Sequence, residues 1–160
     1  MSENPKPSAG EFGADNIHRL AARVYYEDTD FSGLVYHARY LNFFERGRTD
    51  SLRCLGIFHH EIATHDEPTA FAVRRMNIEF DLAARIDDAL VVETIYRPSK
   101  GARLMMDQRM LRGDETIARV SVQAICIDLT GRVKRAPKWM TKLWLPKVIT
   151  PACPILAHNP

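Results

Sequence analysis

Tyr26-Glu27-Asp28-Thr29-Asp30-Phe31-Ser32-Gly33-Leu34-Val35-Tyr36-His37-Ala38-Arg39-Tyr40 joins two segments whose apolar residues recur at different periods. On its N-terminal side Leu20, Ala22, Val24 and Tyr26 share one side of an extended chain, with Arg23 and Glu27 on the other, which predicts a strand over 19–26. On its C-terminal side, over about 38–55, Tyr40, Phe43, Phe44, Gly47, Ser51, Cys54 and Leu55 form one helical stripe. Gly56 stands where a left-handed residue would end that helix. The small residues Gly47 and Ser51 in the stripe leave room for a sheet to approach closely.

Beyond the helix the period returns to two. Extended segments are expected at about 71–81, 89–96, 103–111 and 117–128, the last alternating at Ala118, Val120, Val122, Ala124 and Cys126. Pro98-Ser99-Lys100-Gly101 and Arg112-Gly113-Asp114-Glu115 separate them as turns, which predicts antiparallel hairpins. A short amphipathic helix is expected over 137–145. Residues 1–16 mix Pro, Gly, Ser and charge without periodicity and read as a flexible arm; 17–146 form one domain, and 147–160 a flexible tail. One strand, one long helix and a run of strands make an α+β layer arrangement in which the helix covers one sheet face.

Composition narrows the function classes. The chain has 160 residues, 46% hydrophobic and 26% charged, and its net charge is 22 − 20 = +2. No global field argues for nucleic acid. No run approaches the roughly 20 apolar residues of a membrane span, and the first residues lack the apolar stretch of a signal peptide. Cys54, Cys126 and Cys153 are odd in number and widely spaced, which fits a reduced, cytoplasmic setting.

The segment from Tyr26 to Tyr40, with Phe44-Glu45-Arg46-Gly47-Arg48 one turn on, closely resembles the hotdog thioesterases of the 4-hydroxybenzoyl-CoA thioesterase family, and most closely the Tol–Pal-associated, YbgC-like acyl-CoA thioesterases. The shared pattern is Asp-x-Asp-x-x-Gly-x-Val-Tyr-His-x-x-Tyr followed by Glu-Arg-x-Arg, and the resemblance runs over about 23–138. The stretch Ala83-Ala84-Arg85-Ile86-Asp87-Asp88 also fits, with Ala83 where the family usually has Pro. The resemblance implies a hotdog fold, a curved antiparallel sheet of about five strands wrapped around one long central helix. It also implies hydrolysis of acyl-CoA without metal or organic cofactor, coenzyme A entering only as part of the substrate. By the same resemblance the chain forms a homo-oligomer, tetramer over dimer, with active sites at the subunit boundary and acyl carrier protein as a possible partner. A rival reading is an acyl-ligand or acyl carrier protein-binding scaffold of the Tol–Pal envelope system with only residual hydrolysis. A hotdog dehydratase is disfavoured because its His-x-x-x-x-Pro-Gly segment is missing around His37.

In that family the second aspartate of Asp-x-Asp is catalytic, which carries over to Asp30. One carboxylate suffices for a thioester if the developing oxyanion meets fixed donors, and Asp30 precedes a glycine turn and a helix start where free N–H groups gather. By resemblance the N–H near His37 polarises the carbonyl. The His37 ring donates or orients water, and the Tyr26 hydroxyl holds the carboxylate. Taken alone, an aspartate before a helix reads as an N-cap.

Other features read plainly. Glu45 and Arg48 are an i, i+3 ion pair; His59-His60 and His65 lack a recognised ligand spacing and read as polar loop; Arg112-Gly113-Asp114 is a hairpin turn. Arg74, Arg75, Lys100, Arg103, Arg132, Lys134 and Arg135 form a solvated basic set, some of which can receive the phosphates of coenzyme A. Phe31, Phe43, Phe44 and Met105-Met106 either line the acyl pocket or belong to the core.

Overall fold

The computed structural model describes residues 10–150. Its elements are β1 (Glu11–Phe12), β2 (His18–Arg23), α1 (His37–Cys54), α2 (His59–Ile62), β3 (Ala70–Phe80), β4 (Ala89–Arg97), β5 (Arg103–Arg112), β6 (Glu115–Ile127) and α3 (Lys138–Trp144). The strands make one antiparallel sheet in the order β1-β2-β4-β5-β6-β3. It is not closed into a barrel, and α1 lies against its inner face.

The close approach of α1 follows from Gly47. A Cβ there would stand 2.7 Å from Val92 Cγ1, so the helix backbone sits directly on β4. Beside it Ser51 Oγ and Tyr96 Oη share a 2.9 Å hydrogen bond, and Gln108 Nε2 donates to Phe44 O and Thr94 Oγ1. These polar groups are fully buried and each is satisfied, so they fix the rotation of the helix on the sheet. Phe43, Phe44 and Tyr40 pack with Val92, Met110, Val120 and Val122 around the first half of α1. Leu52 at its far end packs with Ile57, Leu104, Met106, Met140 and Trp144. The helix stops as Gly56 predicted: Gly56 has φ +79° and its N–H reaches Arg53 O, while Ile57 N–H reaches Leu52 O.

Three features differ from the sequence reading. The first strand ends at Arg23 rather than Tyr26, because Asp28 Oδ2 accepts the Tyr25 N–H at 2.8 Å and its own N–H bonds Tyr25 O, winding Tyr26–Asp28 into a 3-10 turn. The sheet has six strands rather than about five, since part of the segment read as an arm is a strand: a turn from Gly13 to Ile17, with Asn16 at φ 61°, returns Glu11–Phe12 along β2. Two residues carry no readable period, so β1 was invisible. It is clipped to α1, where Asp50 Oδ2 accepts from Gly10 N and from buried His18 Nε2, and Cys54 Sγ donates to Gly10 O. At the other end Val148 bridges to Tyr96 and Ile149 N–H bonds Tyr96 O, so the segment read as tail follows β4 as far as residue 150. The remainder of the expected arm, 1–9, and of the expected tail, 151–160, lies outside the described residues.

β3 closes one side of the sheet and its outer edge has no partner among the described residues. A bulge between Val73 and Arg75 shifts its register against β6. Phe71 and Val73 before it, and Met76, Ile78 and Phe80 after it, therefore all oppose inward-facing β6 residues.

Candidate active site

The segment from Asp28 to Tyr36 is a small hairpin. Asp30 N–H bonds Leu34 O at 2.9 Å, Gly33 N–H bonds Asp30 O at 3.0 Å, Thr29 bridges to Val35, and Tyr36 N–H bonds Asp28 O at 2.9 Å. Gly33 takes the left-handed position, φ +76°, that a three-residue hairpin loop requires, with Asp30, Phe31 and Ser32 as the turn before it. The hairpin rests on the 81–88 loop, where Val35 N–H bonds Ala84 O, Leu34 bridges to Arg85, and Ala84 N–H donates to Tyr40 Oη.

This geometry separates the two aspartates of the motif. Asp28 is buried, and its Oδ1 accepts from Arg39 Nε at 3.1 Å and Nη2 at 2.9 Å while Oδ2 caps Tyr25. It ties the hairpin root to the first turn of α1. Asp30 stands exposed at the tip, with Oδ1 accepting from Ser32 N at 2.8 Å and Ser32 Oγ at 2.5 Å. Those donors, the Ser32 hydroxyl first, hold the Asp30 carboxyl below the usual carboxylate range, so it is ionised at neutral pH with Oδ2 unengaged.

His37 is the first residue of α1, exposed, its ring tilted on Tyr36 at 4.4 Å. Tyr36 is the N-cap in extended conformation, φ −63° and ψ 132°, and no side chain caps the helix. Arg39 N–H turns back to Tyr36 O at 2.8 Å, so the first-turn N–H groups of His37 and Ala38 are the ones that open beside the hairpin. Tyr26 sits at the other root of the hairpin, 84% exposed, its carbonyl accepting from Thr29 N and Oγ1. Tyr26, Asp30 and His37 therefore share one hairpin and its roots, but the side chain that holds the Asp30 carboxylate is Ser32 rather than Tyr26. Ser32 was missed by the sequence reading. An Asp-x-Ser turn was the signal that pointed to it. Tyr25 and Phe31 add to the exposed apolar surface, Phe31 at 108%.

Further along α1, Glu45 and Arg48 do not form the expected pair. Glu45 Oε1 accepts from Thr49 Oγ1, and Arg48 Nη1 donates to Gln108 Oε1 at 2.8 Å. Both line a cavity of about 140 Å³ between α1 and the Phe71 end of β3, with His59, Leu104 and Met106. Of the other histidines, His65 stacks on Trp139 at 4.8 Å, and His60 lies 3.7 Å from Glu61.

Residues 24–144 match the family model described as Thioesterase-like superfamily. The chain is 43% identical over 120 residues to the acyl-CoA thioesterase YbgC of Haemophilus influenzae, covering 75% of this chain and 87% of that one. It is 40% identical over 127 residues to the acyl-CoA thioester hydrolase YbgC of Escherichia coli, covering 76% and 91%. Its fold superposes on the crystal structure of a probable thioesterase from Bartonella henselae with TM-score 0.73 at 42% identity, over 76% of this chain and 99% of that one. With the Asp30 hairpin, the uncapped helix start and the sheet wrapped on α1, these likenesses converge: the chain belongs to the thioesterase-like superfamily, as a YbgC-like member with the hotdog fold.

Proposed function

We propose that this chain hydrolyses acyl-CoA thioesters to the free acid and coenzyme A, with Asp30 as the catalytic carboxylate. The observation that carries the reading is an ionised aspartate at a hydrogen-bonded hairpin tip beside a helix start with no side-chain cap. Asp30 Oδ2 either takes a proton from water as the water oxygen bonds the thioester carbon, or bonds that carbon itself to give an anhydride that water then opens. In both courses the carbonyl oxygen becomes an oxyanion facing the N–H groups at His37, the carbon–sulfur bond breaks, and coenzyme A leaves as the thiolate, which takes up a proton from water to end as the thiol. The His37 ring orients the carbonyl or the water, and Tyr26 forms one wall of the site.

The exposure of Asp30, Tyr26 and Phe31 supports a site completed by a second copy of the chain, because a hydrolytic site works best with bulk water excluded. The edge of β3, which has no partner among the described residues, is the surface for that copy: a strand of eleven residues with its outer backbone open invites strand addition. A dimer formed this way, and a tetramer from two such dimers, is the assembly proposed. A cytoplasmic setting fits the free thiols of Cys54 and Cys126, the latter pushed up to about 11 by burial. No helix among the described residues is long and apolar enough to cross a membrane.

The test is Asp30→Asn, assayed against a series of acyl-CoA thioesters with circular dichroism and sedimentation alongside. The expected outcome is native fold and assembly with kcat reduced by at least about a thousandfold. Undiminished turnover in that variant would remove Asp30 from the mechanism.

A further inference from the structure

The end of α1 remote from His37 carries a second group of chemistry-bearing side chains. Asp50 and Cys54 stand one turn apart on the helix, and His18 of β2 reaches across to them. From His37 to Asp50 is 13 residues, about 20 Å along the axis, so the group is separate from the Asp30 hairpin. His18 Nε2, the Asp50 carboxylate and Cys54 Sγ all lie within 4.8 Å of one another. The imidazole stands 2.9 Å from Asp50 Oδ2. Gly10 joins the two helix residues from the other side, its N–H donating to Asp50 Oδ2 and its carbonyl accepting from Cys54 Sγ at 3.2 Å.

Two further features point from a hydrogen-bonded cluster to a ligand. His18 is fully buried, yet its Nδ1 has no partner among the described residues. No hydrogen bond there fixes the tautomer, so the Nε2 proton can pass to Nδ1 and leave the Nε2 lone pair aimed at Asp50 and Cys54. Negative charge also gathers at the thiol. Burial first, and then the carboxylates of Asp50 and Glu11, push the Cys54 thiol up, and a cation at the same place relieves that repulsion.

We propose that His18, Asp50 and Cys54 form a structural site for a divalent transition ion of the zinc class. An imidazole nitrogen, a carboxylate oxygen and a thiolate are donors that zinc accepts together, whereas calcium and magnesium take oxygen ligands. At zinc–ligand distances of about 2.0–2.3 Å, a tetrahedral ion holds its donors about 3.3–3.7 Å apart. The carboxylate has to draw back from the imidazole by about half an ångström, and the exposed Cys54 side chain closes on both by rotation. On binding, Cys54 gives its proton to water and bonds the ion as thiolate, Asp50 bonds as carboxylate, and His18 bonds through Nε2 with its proton on Nδ1. The exposed side of Cys54 leaves the fourth position to water. Such an ion ties β2 to the last turns of α1 where β1 is already clipped, and so fastens the β1 end of the sheet to the helix at a distance from the thioester chemistry.

Cobalt(II) titration of the full chain tests the site, because thiolate ligation gives a charge-transfer band in the near ultraviolet that nitrogen and oxygen donors lack. One ion per chain is expected, displaced by zinc, with Tm raised by at least about 3 °C in excess zinc. Cys54→Ser keeps a donor for Gly10 O while removing the soft ligand, so it is expected to fold, to lose the band and to bind at least about tenfold more weakly. Asp50→Asn is expected to keep the band and to weaken binding by at least about the same factor. A band that survives in Cys54→Ser belongs to another cysteine and overturns the site, as does a Tm of the native chain that zinc leaves unmoved. Thioester turnover by the folded chain is expected to be equal before and after chelation. Turnover lost with the ion and regained with it overturns the structural role.

Discussion

Asp28 and Asp30 lie two residues apart, and their neighbours give them different work. Asp28 is sealed between the Tyr25 N–H and the Arg39 guanidinium, where loss of its charge would leave the part-buried Arg39 with only the exposed Glu27, 3.5 Å away, as a carboxylate partner. Asp30 is turned outward by the hairpin, and its ionisation is set by Ser32. The pattern of the segment, through Arg48, named Asp30 as the candidate carboxylate, and the structure finds it exposed and hydrogen-bonded by Ser32. Ser32 was signalled there only by the Asp-x-Ser spacing, and whether a serine two residues on folds back is decided by the turn geometry, here with Gly33 at φ +76°. The dependence has a sign. Because the Ser32 hydroxyl donates to the charged form, Ser32→Ala removes stabilisation of the carboxylate and raises its pKa toward the ordinary value of 3.8. The acid limb of kcat/KM is expected below that value in the native chain and is expected to move to higher pH in Ser32→Ala with the neutral-pH rate little changed. A pH–rate profile checks this, and an acid limb that stays in place would show that the hydroxyl does not tune the carboxylate.

The elements were legible to different depths. α1 and the β4, β5 and β6 strands have long, clean periods and came out within a residue or two. The stripe of small residues in α1 also foretold the contact that seats it, since Gly47 stands where Val92 leaves no space for a methyl group. β1 escaped because two residues carry no period, and the bulge of β3 because the apolar residues merely change phase around Arg74. The Gly47 contact sets two effects against each other. Alanine gains roughly 1 kcal/mol of helix propensity over glycine, whereas a methyl at 2.7 Å from a fully buried Val92 forces a shift that costs about 1–3 kcal/mol. The overpacking is the larger, so Gly47→Ala is expected to lose about 1 kcal/mol of stability, read as a lower urea midpoint at unchanged slope. A higher midpoint would mean that α1 has slack on the sheet.

At the scale of the whole molecule, one chain leaves surface that the fold does not use: an eleven-residue strand edge, and Tyr25, Tyr26 and Phe31 standing open around the proposed carboxylate. Periodicity reports which face of a strand is apolar but not whether its edge is taken, so only the family resemblance pointed to an assembly in advance. A two-fold axis at Asn77 on that edge would set Arg75 opposite Glu79 across the seam, which makes the assembly testable through charge. Each dimer would hold two Arg75–Glu79 contacts across the seam, and Glu79 also accepts from Arg119 of its own chain at 3.1 Å. Arg75→Glu turns both contacts into like-charge pairs. At up to about 1 kcal/mol per cross-strand pair, the loss is on the order of 2 kcal/mol, or roughly 30-fold in the dimer dissociation constant. Adding Glu79→Arg to Arg75→Glu restores opposite charges across the axis and is expected to recover part of that affinity, the remainder being lost to repulsion from Arg119. Sedimentation at low ionic strength, where such contacts are least screened, measures both steps. Equal dissociation constants for the native chain and Arg75→Glu would place the axis elsewhere on the edge. A weaker double variant than single variant would show that Glu79 serves only its own sheet.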